Sequence, residues 1–398
     1  MRRSFNIFLF TMVSCLLSCN NKQLNEDVIV PLNNGKVVQD VNLSDYVQYT
    51  HYVPLETNDS CLIQSINRVW SDSNYLIVYD YAPLSGVQRL YLFSDKGDFL
   101  NQIGTEGRGP GEYMHISSVY IDRVNNHVGV ICGVNAKLQI YTYEGDFVRS
   151  YKISTEYIYM DDLALLPDGN LLAHYPAPPK PDAYYRNVGE QYKYEYRLLV
   201  PTGDSLISKP LTAEASWANK GNQAHLILRP TTYIGGDVYG VSLFSNTIWQ
   251  YDEQELKPKY TFDVGRNMID SAFIETYKEE NWVNYNMMST ISNSGFTYGF
   301  GYVVTSDQYT LLKVNLNDDI LIFDGADALL IEKGDLWGFS DDFWANESAI
   351  SLIETEAIDI ESGELLKIRD SITEDSNPVV CRYYLKDNLI QEILSDID

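Results

Sequence analysis

The chain has 398 residues, and 55 acidic against 29 basic side chains give it a formal charge of -26. So acidic a surface repels phosphate backbones and anionic headgroups, which excludes nucleic acid as a natural partner and excludes membrane attachment through charge. The same acidity keeps an exported protein soluble and leaves cations or cationic partners as the attracted class.

Residues 1–18 read as an export signal. Arg2 and Arg3 precede a mostly apolar run over residues 5–17 that is too short for a stable spanning helix. The run ends in Leu16-Leu17-Ser18-Cys19. A small residue before a cysteine resembles the bacterial lipobox, which makes Cys19 the expected palmitate-bearing anchor and new N-terminus. Cleavage removes Arg2 and Arg3 but no acid, taking the charge from -26 to -28. No later stretch has the ~20 apolar residues of a spanning helix, so the membrane is met through the lipid alone. The polar residues 20–27 read as a flexible tether within a lipidated segment, 19–40. Asn20 is not an inner-membrane-retaining aspartate, which favours the outer membrane and leaves its face open. With Cys19 lipidated, Cys61, Cys132 and Cys381 remain, an odd number that is no disulfide scaffold and leaves open whether any two pair.

From residue 41 onward the pattern is all-β, with short apolar segments alternating with turn residues. One unit recurs: an apolar strand, a turn ending in Gly-Asp, and a second strand. Its copies are Arg89-Leu-Tyr-Leu-Phe-Ser-Asp-Lys-Gly97-Asp98-Phe99-Leu, Leu138-Gln-Ile-Tyr-Thr-Tyr-Glu-Gly145-Asp146-Phe147-Val and Tyr196-Arg-Leu-Leu-Val-Pro-Thr-Gly203-Asp204-Ser205-Leu. Asp98 and Asp146 lie 48 residues apart, Asp146 and Asp204 58. Glycine supplies the positive φ of a tight turn, and a period holding about four short strands is that of a propeller blade. One blade cannot bury both faces of its sheet; a ring of blades can.

The strands parse into blades over residues 62–103, 116–153, 157–208 (interrupted by an insertion at 175–192), 225–264 and 297–323. A last blade takes residues 329–339 and the late strand 379–385. Residues 47–55 are expected to complete that blade and close the ring, hiding edge strands. Residues 270–285 and 361–372 read as two short helical insertions. Asn377-Pro378 then forces extended geometry where the final strand begins.

After blade one comes Gly104-Thr-Glu-Gly107-Arg108-Gly109-Pro110-Gly111-Glu112-Tyr113. It resembles the Gly-x-Gly-Pro-Gly-Glu-Tyr signature of the six-bladed β-propeller lipoproteins of Bacteroidetes, a family with NHL-like blades and no general assigned activity. Tyr52-Val-Pro-Leu-Glu-Thr57 is similar to that family's opening strand and Asp375-Ser-Asn-Pro-Val-Val380 to its closing one. The likeness spans nearly the whole mature chain and is strongest near residues 40–155 and 375–386. It implies a six-bladed β-propeller over residues 41–398.

Several residues are candidates for function. The glycine-rich loop is either an inter-blade packing turn or a site for an anionic or sugar ligand carried by Arg108, Glu112 and Tyr113. Glu112 either accepts from backbone N–H groups or pairs with Arg108. No Gly-Lys-Ser/Thr and no helix follow, which excludes a phosphate loop. In the blade-three insertion, prolines 176–181 precede Tyr184, Tyr185 and Arg186, whose ring faces suit a sugar or a protein anchor. His174 and His225 are histidines that neighbouring blades can bring together in the central channel. No zinc-protease spacing and no Gly-x-Ser-x-Gly elbow exists. Asp161-Asp162, Asp318-Asp319 and Asp341-Asp342 are the acids a structural Ca2+ would use, without an EF-hand loop.

The expected function is non-enzymatic recognition at the envelope, with a glycan or an envelope protein as partner and no catalytic or metal-ligating residue assigned. The alternatives are a metal-assisted hydrolase or lyase in the channel, and a structural subunit of an envelope complex.

Overall fold

The computed structural model describes residues 28–31, 38–71, 74–155, 160, 162–175, 194–211, 231–234, 237–241, 246–263, 302–305, 310–313, 320–324, 326–332, 344–345, 348–353, 368, 372–373 and 375–397. Cys19, both expected helical insertions (Ile368 and Ile372 apart) and the acids 161, 318–319 and 341–342 lie outside them.

Three strands come first: β1 (Val28–Pro31), β2 (Val38–Gln39) and β3 (Val47–Pro54). Antiparallel four-stranded units follow. Unit A holds β4 (Ile66–Ser71), β5 (Tyr75–Ala82), β6 (Val87–Ser94) and β7 (Phe99–Gln102). A short parallel pair, β8 (Thr105–Glu106) and β9 (Glu112–Tyr113), leads to unit B: β10 (Ile116–Asp122), β11 (His127–Cys132), β12 (Lys137–Thr142) and β13 (Phe147–Lys152). Unit C holds β14 (Asp162–Leu165), β15 (Leu171–His174), β16 (Tyr196–Thr202) and β17 (Ser205–Pro210). Unit D holds β18 (Thr231–Ile234), β19 (Asp237–Val241), β20 (Thr247–Asp252) and β21 (Glu255–Asp263). Unit E holds β22 (Tyr302–Thr305), β23 (Thr310–Lys313), β24 (Ile320–Phe323) and β25 (Ala328–Glu332). Unit F holds β26 (Trp344–Ala345), β27 (Ser348–Ile353) and β28 (Val379–Leu385), with β3 as its outer strand. Helix α1 (Leu389–Ile397) ends the chain.

The packing explains why the units exist only together. In β5, Leu76 and Val78 join Val53 and Val380 of unit F, while Ile77 and Tyr79 join Val119, Val128 and Val130 of unit B. Successive strand residues point to opposite faces, so each sheet lends its two faces to two different neighbours. The buried clusters accordingly lie between units. First strands also stand side by side: β10 with β14, β14 with β18, β18 with β22, β22 with β26, and β26 with β4. The architecture is a β-propeller.

β3 pairs with β28 from Val379↔Pro54 to Leu385↔Val47, the expected closing pair. Other assignments need correction. β25 was expected in the last blade, but pairs with β24 through Ile320↔Ile331 and completes unit E. β26 and β27 supply the inner strands of unit F instead. Within the expected tether, β1 adds a parallel fifth strand to β21, and β2 another to β25. Val30 and Val38 of these strands are buried in the clusters beside units D and E. α1 was also unforeseen; its Leu389, Ile390 and Ile393 pack on Ile322, Leu329 and the 3-10 turn Leu43–Tyr46.

The recurring Gly-Asp turn has a second role beyond turning the chain. Gly97 has φ +91, and a Cβ there would stand 2.1 Å from the Pro54 carbonyl oxygen of unit F. Gly145 has φ +90, and its Cβ would stand 2.5 Å from the Gln102 carbonyl oxygen of unit A. The turn thus receives the end of the preceding unit's outer strand; Glu56 N donates to Gly97 O at 2.8 Å and Lys152 N to Asp204 O at 2.8 Å. Gly203 has φ +58 and open space. Gly203→Ala is therefore expected to lose about 1 kcal/mol to backbone conformation alone. Gly145→Ala should lose about 1–2 kcal/mol more through collision. Urea midpoints of the two variants check the difference.

Cys61, Cys132 and Cys381 are buried and form no disulfide with one another. Burial pushes the Cys132 thiol up to about 12. Tyr46 OH donates to Asp396 Oδ2 at 3.0 Å, tying the 3-10 turn to α1. Burial first, then Asp396, raises that phenol from 10.0 to about 12. The folded state holds this proton more tightly than the unfolded chain, so stability is intact below pH 10 and declines as pH rises from there through about 12. Far-UV circular dichroism with phenolate absorbance should show unfolding in that window, and Tyr46→Phe should blunt its onset.

Candidate ligand-binding face

In each antiparallel unit the start of the first strand, the end of the second and the start of the third share one end. The glycine-rich segment reaches this end, since it leads into β10. The β15–β16 connection leaves from it too, and carries Tyr184, Tyr185 and Arg186 outside the described residues. His225 also lies outside them.

The glycine-rich segment is organised around one carboxylate. Gly109 N donates to Glu112 Oε2 at 2.6 Å. A Cβ on Gly107 would stand 2.0 Å from the same oxygen, so only a bare backbone leaves room for the carboxylate. Of the two roles open to Glu112, the structure therefore has it accepting from the backbone. Tyr113 is fully buried, edge-on to Tyr141 with centroids 6.2 Å apart, and its OH donates to Ile103 O at 3.3 Å. Burial raises its phenol, and Tyr141 OH fixes the loop by donating to Gly111 O at 3.0 Å. Glu112 and Tyr113 thus hold the loop together, while Arg108 is exposed upon it.

Two polar pairs lie beneath this face. Arg68 of β4 donates from Nη1 to Asp162 Oδ1 of β14 at 3.0 Å, with side chains 9% and 1% exposed. Units A and C are separated by unit B, so this pair spans non-neighbouring units. The Arg68 guanidinium also lies 4.9 Å from the Trp70 ring centroid, and Asp162 Oδ1 accepts from Leu163 N. His174, in register with Asp162 and Tyr196, is buried with Nε2 3.3 Å from Glu195 Oε1 and its ring edge-on to Tyr196. Neither Arg68 nor Glu195 was singled out from sequence. Arg68 meets its partner only when unit C comes round beside unit A, and Glu195 meets His174 only when β15 and β16 pair across the long insertion between them. Among the described residues no group of three His, Cys, Asp or Glu side chains could hold a metal ion.

Three described loops at the same end each expose an aliphatic side chain. Leu84, between β5 and β6, is 105% exposed, Val134, between β11 and β12, 63%, and Leu62, before β4, 49%. Among the described residues no helix is long and apolar enough to cross a membrane.

A family model described as a domain of unknown function, DUF4934, matches residues 27–384. Among curated proteins none matches. A solved Bacteroides fragilis protein described as exported superposes with a TM-score of 0.65 at 18% identity, covering 90% of this chain and 100% of its own. A member of the DUF4221 family from Bacteroides vulgatus gives 0.48 at 10% identity, over 85% of this chain and 97% of its own. A β-propeller domain from Myceliophteria thermophila gives 0.38 at 9% identity, over 84% and 100%. The first of these shares the fold of this chain.

Proposed function

This chain belongs to the DUF4934 family, and from that premise we propose that it is a six-bladed β-propeller lipoprotein of the outer membrane whose loop face recognises a partner. Units A to F, each sharing its faces with two neighbours, support six blades. The Leu-Leu-Ser-Cys19 end of the leader supports lipid anchoring.

One observation carries the recognition role: Leu62, Leu84 and Val134 expose aliphatic side chains from separate loops at the end of the ring that the glycine-rich segment, with its exposed Arg108, also reaches. Each such side chain gains about 1.5–3 kcal/mol when a partner buries it fully. The Arg68–Asp162 tie beneath keeps the loops in fixed relation, so little order is lost on binding. Exposed aliphatic tips together with an exposed cation suit a protein surface; a glycan stacked on Tyr184 and Tyr185 is the other ligand class.

Cross-linking on intact envelopes tests the face. Leu84→Asp with Val134→Asp should weaken partner binding at least about a hundredfold, equivalent to about 3 kcal/mol, and lose the cross-linked partner, with an unchanged circular dichroism spectrum. A glycan array run on Tyr184→Ala with Tyr185→Ala covers the other class. Should only the tyrosine variant lose its ligand, the partner is a glycan; should neither variant change, this face is not the site. Cys19→Ala should release the protein from membranes and abolish palmitate labelling.

A further inference from the structure

A second, independent feature lies where unit F meets unit A. Arg382 sits midway along β28, in register with His51 of β3. Two residues earlier Val380, in register with Val53, packs among Leu76, Tyr91 and Phe93 of unit A. The two-residue alternation of a strand puts Arg382 and His51 on that same face. Arg382 is 7% exposed, and its Nε and Nη2 are buried without a hydrogen-bond partner among the described residues.

Such a group is costly to leave alone. A guanidinium does not shed its proton, and a buried charge needs a counter-charge and acceptors for its N–H groups. Arg68 meets part of that need with Asp162. The planar fork that Arg382 presents matches two oxygens of an oxyanion.

We propose that Arg382, with His51 beside it, binds an oxyanion (carboxylate, sulfate or phosphate) between units F and A. The anion is either a free inorganic ion or the acidic group of a larger ligand such as a uronate or sulfated sugar. Because β28 and β3 close the ring, the bound anion stabilises the closed propeller.

Thermal unfolding of the full-length protein in chloride buffer, titrated with sulfate, phosphate or glucuronate, tests this. The wild type should show a saturable rise in Tm of about 2 °C or more at low millimolar anion. Arg382→Met should lose that rise, yet melt no lower than wild type in chloride alone, since an apolar stem replaces an unpaired charge. Arg382→Lys should retain part of it. A rise with inorganic anions assigns a free ion, and one seen only with glucuronate assigns an acidic group on a ligand. General salt exclusion grows without saturating. No saturable rise in the wild type, or an equal one in Arg382→Met, overturns the proposal. If Arg382→Met fails to fold, the wild-type titration and Arg382→Lys still decide it.

Discussion

Replacing Asn377 with alanine is expected to destabilise the protein by about 3–5 kcal/mol. Asn377 is 1% exposed and sits just before β28. Its Oδ1 accepts from Ile63 N at 2.9 Å, and its Nδ2 donates to Glu56 O at 2.7 Å and to Cys61 O at 2.8 Å. All three partners are backbone groups of the loop that carries the chain from β3 into unit A. Glu56 continues the connection, because its Oε2 accepts from Phe99 N at 2.8 Å in unit A. Alanine would strand one N–H and two carbonyls, each costing about 1–3 kcal/mol when left unsatisfied, less whatever water recovers. Asn377→Asp should be at least as damaging, since a second acceptor would then face two carbonyls. Urea unfolding gives the magnitude. Hydrogen exchange gives the location: the amides of β3 and β28 should lose protection before those of β10 to β13. A midpoint equal to wild type would remove the clasp from the account of closure.

The Arg68–Asp162 pair should show the other large effect. Arg68→Met leaves the Asp162 carboxylate buried without its guanidinium, and a loss of about 3–5 kcal/mol is expected. Asp162→Asn should cost a comparable amount by stranding the cation. The double variant should recover much of the loss, because two apolar or neutral groups need no counter-charge. A double-mutant cycle in urea measures the coupling; additive losses would mean that the two side chains act separately. The pair also supports the loop face, so the single variants should weaken partner binding even where they remain folded.

Much of this fold was legible in the residues. Val47–Pro54 and Val379–Leu385 announce themselves as strands at opposite ends of the chain, and Asn377-Pro378 marks where the second begins. Gly97 and Gly145 were legible as turn glycines, but not as the places where a preceding strand docks, since Pro54 and Gln102 come from other units. β1 and β2 were not legible. They are four and two residues long, sit in polar surroundings, and gain their stability from parallel partners far along the chain. The α1 pattern of Leu389, Ile390, Ile393, Leu394 and Ile397 has helical spacing, yet nothing local says what its apolar face packs on until the cluster of unit E receives it.

The candidate site divides in the same way. Arg108, Glu112 and Tyr113 stood out because glycines cluster around them, and local chemistry produces that signal. Only the fold separates their fates: Glu112 and Tyr113 turn inward and Arg108 stays outside.

Amino-acid order alone determined the strand period and the turns, because these rest on interactions between near neighbours in the chain; the meeting of the two end segments was legible only through the need of a ring to close. Which buried charges would find partners was settled only when separate sheets came together. Arg68 met Asp162 there, while among the described residues Nε and Nη2 of Arg382 met no acceptor, since a buried charge answers to whatever lies within a few ångströms and not to its neighbours in sequence.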